Sequence, residues 1–332
     1  MDSPKLILLI GAPRSGTTWL QAILSGHPAI VSPQETDLFS RFIGPLGESW
    51  DWQVRGTAED WQRRRFKGLP SVLTETQFNA IVARVIEEVI LHTCALKPGA
   101  SAVLEKSPAH SLAISPVLRF TPNTTFVHLL RDGRDVACSL VAAGQSWGAG
   151  WAPTNVGEAA AMWATHVRGA QTAARASGGY IEVRYEALRR DGVNELRRVF
   201  SGIGCEIEVA HVTELLNTHA IQRGETQLSR RDALPISGHF AAYAGRPEPK
   251  GFVGEAKTGS WAAWSAAERL AFHHAAGDLL VQLGYESDRS WVKANLVLRI
   301  RVAARGIVAR ALRSMASRAN RLARRVAPVA KP

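Results

Sequence analysis

At 332 residues, 46% hydrophobic and 21% charged, the chain can bury a large core unaided, which excludes disorder throughout. Its 40 Lys and Arg exceed its 29 Asp and Glu by 11, but residues 295–332 alone hold nine Arg, one Lys and no acid; 11 − 10 leaves +1 on residues 1–294. That near-neutral body disfavours general nucleic-acid binding, and three cysteines (Cys94, Cys138, Cys205) with no CxxC pair exclude a zinc or disulfide framework and fit a reducing compartment.

Lys5–Ile10 reads as a buried strand. It is too short for a signal-peptide core and runs straight into a glycine-rich turn. No apolar run reaches about 18 residues, so neither a targeting nor a spanning segment is expected, which points to the cytoplasm. A helix over Thr17–Leu24 follows the turn. The stretch from there to Ala102 is too long for a simple crossover. It carries Trp50, Trp52, Trp61 and a helical pattern near Phe78–His92, and reads as a helical insertion lying over the sheet. Strands are then expected at Ala102–Glu105, Thr125–Leu130 and Tyr180–Arg184. Helices are expected after them, near His110–Phe120, from about Arg134, and over Asn194–Ile203. Ile236–Gly259 reads as a long loop and Ala266–Leu283 as the last helix. The alternation predicts an α/β fold, a P-loop-like doubly wound, mostly parallel sheet flanked by helices. Residues 1–292 are expected to form this domain and 293–332 a basic tail. Within the tail, Leu296–Val326 mixes apolar residues and Arg at helical spacing, interrupted by Gly306. A solvated extension, an anionic membrane surface and an acidic protein partner all fit it, and nucleic acid fits least.

The turn GAPRSGTT, Gly11–Thr18, lies between a predicted strand and a predicted helix. Backbone amides of such a turn and the helix N-terminus form an anion site. The spacing follows the phosphate-binding loop of nucleotide triphosphatases as far as Gly16. Thr17 then stands where those enzymes need Lys, and the positive charge comes earlier, at Arg14. This argues against a nucleotide kinase, which stays as the alternative alongside a non-catalytic nucleotide-binding protein.

The string PRSGTT, with His27-Pro28 beyond the next helix, resembles the 5′-phosphosulfate loop of sulfotransferases that use 3′-phosphoadenosine 5′-phosphosulfate (PAPS), in their bacterial and tyrosylprotein-type branch. Four further segments follow in the family's order: Gln34-Glu35-Thr36; Glu105-Lys106-Ser107-Pro108; Leu130–Val136 (LRDGRDV), with Ser139 eight residues after Arg131; and Arg184–Leu188 (RYEAL). Lys257–Trp261 (KTGSW) is similar to the late loop closing over the nucleotide, although the family's RKG form is absent. The resemblance spans residues 5 to 284 and implies that the chain is an enzyme. Pro13, Arg14, Ser15, Gly16, Thr17 and Thr18 would hold the 5′-phosphate of PAPS. Arg131 and Ser139 would hold the 3′-phosphate, Tyr185 would lie near the adenine, and Lys257 and Ser260 would close the site. Glu35 would be the general base, with Lys106 at the sulfuryl group.

By analogy with phosphoryl transfer, such a reaction asks for positioning and for charge stabilisation at the leaving oxygen, which Arg14 and Lys106 can supply. No metal is required. His110 is the runner-up base; His27 reads as a turn residue and His128 as a core histidine. The acceptor hydroxyl would belong to a carbohydrate, a glycolipid, a nucleoside-type metabolite or a phenol. The Trp-bearing segments Ser49–Trp61 and Gln145–Trp151 fall where its pocket would form.

Overall fold

The structure, a computed structural model, describes residues 3–60, 68–219 and 258–292. Lys257, Trp61, most of the expected 236–259 loop and the basic tail lie outside the described residues.

Five strands form one parallel sheet in the order β2-β3-β1-β4-β5. They are β1 (Lys5–Ile10), β2 (Ile30–Val31), β3 (Ala102–Glu105), β4 (Thr125–Leu130) and β5 (Tyr180–Arg184). Four have the limits expected from sequence. Central parallel strands are covered on both faces and so read as unbroken apolar runs, as β1 and β4 do. The two-residue β2 is too short to leave such a signal.

Side chains alternate across β1. Ile7 and Leu9 face a core built with Trp19, Leu20 and Ile23 of α1 (Thr17–Ser25). Phe200 of α8 (Gly192–Ile203) and Val212 of α9 (Val209–Thr218) complete that layer, with α7 (Tyr185–Arg190) leading into it. Leu6, Leu8 and Ile10 face the opposite layer, α3 (Glu75–Cys94) and α4 (Ile114–Phe120). The expected insertion is therefore present over one face. Its α2 (Gly44–Asp60) lays Trp50 flat on Phe78 of α3, centroids 4.2 Å apart. A reciprocal cap between Thr74 and Gln77 starts α3, which buries Phe78, Val82, Ile86 and Ile90 at four-residue spacing. A third apolar cluster joins α5 (Gly133–Gly144), α6 (Val156–Ala176) and α10 (Ala266–Gln282) around Trp163 and Phe272.

Two expectations need correcting. The helix expected over His110–Phe120 is broken in two, a 3-10 turn at Pro108–Leu112 and then α4, because Ala113 leaves helical geometry at φ −117° and ψ 31°. The helix α6, begun by the Asn155 side chain on the Glu158 amide, was not anticipated. Its buried face is mostly alanine (Ala159, Ala160, Ala164, Ala170, Ala173), with Trp163 among them.

Parallel pairing sends every strand's carboxyl end to one edge. From β1 the sheet extends to β3 and β2 on one side and to β4 and β5 on the other. The loop after β1 sits at this switch point, where ligands bind in open α/β sheets. Among the described residues no helix is long and apolar enough to cross a membrane.

His128, on β4, donates to or accepts from the Tyr180 hydroxyl at 2.6 Å, and burial pushes its pKa down to about 4. Burial also pushes His166 to about 4, against a weaker opposing contact with the Pro108 carbonyl. Both are neutral when folded, and the unfolded chain takes up protons first as pH falls. Stability is fully present above the ordinary histidine value and is lost between about pH 6.5 and 4, by ~1.4 kcal/mol per pKa unit for each group. Thermal melts across this window should show the slope, and His128→Gln should flatten it; an unchanged slope would mean that His128 does not contribute.

Candidate active site

The turn between β1 and α1 is tied by Ser15, whose amide and hydroxyl both donate to the Ala12 carbonyl, at 3.1 and 2.7 Å. Arg14 (φ 71°) and Gly16 (φ 103°) take left-handed conformations, which turn the loop amides inward. Gly16 is required twice over: its φ suits glycine, and an added Cβ would stand 3.0 Å from the Tyr185 ring. No side chain caps α1. Its first amides thus join the loop amides as an anion-binding end.

Three cations converge on this turn. Arg14 Nε donates to Ser139 Oγ at 3.1 Å, and its guanidinium lies 5.2 Å from the Trp147 ring centre. Burial, followed by the charge of Arg131, pushes the Arg14 pKa down to about 10. Arg131, at the end of β4, spreads over Tyr185 at 4.3 Å. Lys106, just past β3 and 1% exposed, donates to Thr18 Oγ1 at 3.3 Å and pairs with Glu35. So Arg14, Thr18, Glu35, Lys106, Arg131 and Ser139, spread over 125 positions of sequence, meet at the carboxyl edge of the sheet.

The loop bearing Glu35 is anchored at its start by Gln21, which donates to Ser32 Oγ at 2.8 Å and the Pro33 carbonyl at 3.1 Å. Asp135 ties the late segment. Its carboxylate accepts the Gly259 and Ser260 amides, each at 3.0 Å, one helical turn before Ser139. Burial raises the Asp135 pKa, with the two amides working against it. Nothing in the local pattern distinguished Gln21 or Asp135, because both act on segments distant in sequence.

Other expectations divide. Tyr185 is 1% exposed, with Trp19 edge-on at 5.7 Å. His110 is fully buried against Glu105. His27 is a turn residue, accepting the Ala29 amide at 3.1 Å. Trp147 belongs to the cleft beside Arg14, with Trp151 next to it at 5.6 Å, whereas Trp50 is core and Trp52 projects to solvent.

Residues 4–209 match the model of the sulfotransferase family. The chain belongs to that family. It is 27% identical to a putative protein-tyrosine sulfotransferase of Caenorhabditis briggsae over 229 residues, 69% of this chain and 74% of the relative. It is 30% identical to protein-tyrosine sulfotransferase 1 of Homo sapiens over 140 residues, 42% of this chain and 34% of the human one. Among solved structures, the sulfotransferase domain of the Synechococcus PCC 7002 olefin synthase aligns with 84% of this chain and 96% of its own, at 19% identity and a TM-score of 0.49. Family membership makes the chain an enzyme of sulfuryl transfer with PAPS as donor, and removes the kinase and non-catalytic readings. Among the described residues no group of three or more His, Cys, Asp or Glu is placed to hold a metal.

Proposed function

We propose that this sulfotransferase moves the sulfuryl group of PAPS to a phenolic hydroxyl, with Glu35 as general base. The observation that carries the reading is the run Glu35–Lys106–Thr18, which sets a carboxylate and a buried ammonium against the N-terminus of α1. The relatives named as protein-tyrosine sulfotransferases support the phenol. So does chemistry: a phenol ionises near pH 10, within easier reach of a carboxylate base than an alkyl alcohol.

PAPS supplies the sulfuryl group. The amides of residues 13–18 hold its 5′-phosphate, while Arg131 and Ser139 take the 3′-phosphate. Tyr185, buried under Arg131, supports that guanidinium and would lie near the adenine. Ser260, held by Asp135, would border the nucleotide, and Lys257, outside the described residues, keeps the role that the resemblance gives it. Glu35 accepts the acceptor proton as the new S–O bond forms. The bond from sulfur to the bridging phosphate oxygen breaks, and its electron pair stays on the phosphate, where Arg14 and Lys106 neutralise it. The three free thiols, Cys94, Cys138 and Cys205, support a reducing compartment such as the cytoplasm. For residues 293–332 we propose binding to an anionic membrane surface. The support is nine Arg without an acid among Leu, Val and Ile, each basic residue contributing ~1 kcal/mol near such a surface.

A transfer screen with PAPS, read by mass spectrometry, should give product with 4-nitrophenol or a tyrosine-containing peptide and none with glucose, a glycolipid or adenosine; product only with one of the latter would move the acceptor class there. Glu35→Gln should leave affinity for adenosine 3′,5′-bisphosphate unchanged and lower kcat by about 10²-fold, the usual size for a lost general base. Near-normal turnover would show that Glu35 is not the base. Ser139→Ala should weaken adenosine 3′,5′-bisphosphate about tenfold or more and spare the 5′-monophosphate, since a hydrogen bond to a charged group is worth ~1.5–3 kcal/mol. Equal losses for the two nucleotides would refute the 3′-phosphate role. Removing residues 293–332 should abolish salt-sensitive co-sedimentation with anionic vesicles and leave nucleotide binding intact. Absence of any preference of the full chain for anionic over neutral vesicles would end the membrane reading.

A further inference from the structure

Three side chains, Glu105 at the end of β3 and Ser107 and His110 after it, hold the loop that carries Glu35. Glu105 Oε1 accepts from the Thr36 amide at 3.1 Å, the Thr36 hydroxyl at 2.7 Å and the Ser107 hydroxyl at 2.8 Å. Ser107 Oγ accepts the Asp37 amide at 3.0 Å, and His110 Nε2 accepts the Phe39 amide at 3.2 Å. The Leu38 amide goes to Thr36 Oγ1 at 3.2 Å. The amides of Thr36, Asp37 and Phe39 therefore end on this clasp, and that of Leu38 on the Thr36 hydroxyl that Glu105 holds. Asp37 between them is left-handed, φ 52°, and such a turn gathers successive amides into a concavity that attracts an anion. Here the Thr36 amide meets a carboxylate 3% exposed, and the next three amides meet neutral acceptors.

The tautomer of His110 is set by the same contacts. Nε2 accepts an amide proton and is bare, so the ring proton sits on Nδ1. Nδ1 lies 2.5 Å from Glu105 Oε2, and neither atom has another hydrogen-bond partner among the described residues. Burial alone would raise the Glu105 pKa; the contacts with His110, Thr36 and Ser107 outweigh it and hold the carboxyl below its ordinary value. Its polar contacts among the described residues are all with donors. A carboxylate satisfies them on both oxygens, and an amide would turn one donor against another.

Glu35 is the residue before Thr36, and it meets Lys106, the residue after Glu105. We infer that Glu105, acting with Ser107 and His110, is a positioning residue for sulfuryl transfer: it holds the 36–39 amides so that Glu35 stands against Lys106 at the mouth of the phosphate loop. The inference rests on the reading of Glu35 as base.

The test uses the full chain with Glu105→Gln and Thr36→Val, each alone and combined with Glu35→Gln. Thr36→Val keeps the side-chain shape and the amide while removing the hydroxyl that donates to Glu105 and accepts from the Leu38 amide, so it guards against a Glu105 variant that fails to fold, and Thr36→Ser restores the hydroxyl. Turnover is followed with PAPS and 4-nitrophenol, affinity with adenosine 3′,5′-bisphosphate, and the 36–39 amides by hydrogen exchange. Glu105→Gln should lower kcat by about tenfold or more, as small misplacements do, with nucleotide affinity unchanged and faster exchange at 36–39. Thr36→Val should move the same quantities less, and Thr36→Ser should recover them. Added to Glu35→Gln, Glu105→Gln should cost nothing further, because both act through one group. Additive losses, unchanged exchange, or a fall in nucleotide affinity matching the fall in turnover would overturn the inference. A silent Glu35→Gln removes the base reading and this inference with it; a crippled Glu35→Gln beside a silent Glu105→Gln removes this inference alone.

Discussion

Arg14 and Arg131 repel one another, yet the fold holds both at the end of the sheet, and Arg14 yields some basicity to burial and to its neighbour. That arrangement needs support from every side. Tyr185 lies under Arg131, Trp147 beside Arg14, and Ser139 accepts from Arg14 Nε. Trp163 fixes the chain at Arg131 by donating to its carbonyl at 3.2 Å. Gly133 is needed there as well, since a Cβ would stand 2.4 Å from the Trp163 ring. Charge held ready in this way favours a polyanionic ligand on arrival and needs no rearrangement when charge develops during reaction.

The two walls of the cleft are built differently. The Arg131–Ser139 wall is a strand end running into α5, with Asp132 capping the helix and clamping Arg134. Arg134 also pairs with Glu286 and lies 3.8 Å over Trp261, which joins α5 to the chain's late helical layer. The Glu35 wall has no such regular backing. It is an irregular loop leading into a π-helical turn, Leu38–Ile43, and its amides are met by side chains. Regular elements hold the first wall through the backbone, and the second depends on a few buried side chains.

This contrast explains what was legible in sequence. The apolar runs of β1, β3, β4 and β5 announce themselves, and so do PRSGTT and LRDGRDV, because local order at a strand end is written in neighbouring residues. Glu105 looked like one letter of a motif next to Lys106, and His110 looked like a spare base. Their contacts with the 36–39 loop span 69 and 71 positions, so no local pattern carries them. Asp135 escaped for the same reason, reaching amides 124 and 125 positions on. The sequence reading also passed over α6, whose alanine-lined face packs on α10 and α5.

The end of β3 gathers these threads. Successive side chains of a strand point to opposite faces. Val103 faces the α3 layer and Leu104 the α1 layer. Continued two residues further, the alternation sends Glu105 toward the 36–39 loop and Lys106 toward Thr18 on α1. One pleat thus delivers a carboxylate to hold the loop and an ammonium to face the ligand, and Glu35 bridges the two arms by following one contact and meeting the other. A slip of one residue in the pairing of β3 with β1 would exchange the two charges, driving Lys106 into a nest of amides and Glu105 against the phosphate loop. The register of the sheet is therefore a condition for this arrangement, and since Val103 and Leu104 are both apolar and buried, it is the cost of misplacing the two buried charges that opposes a slip.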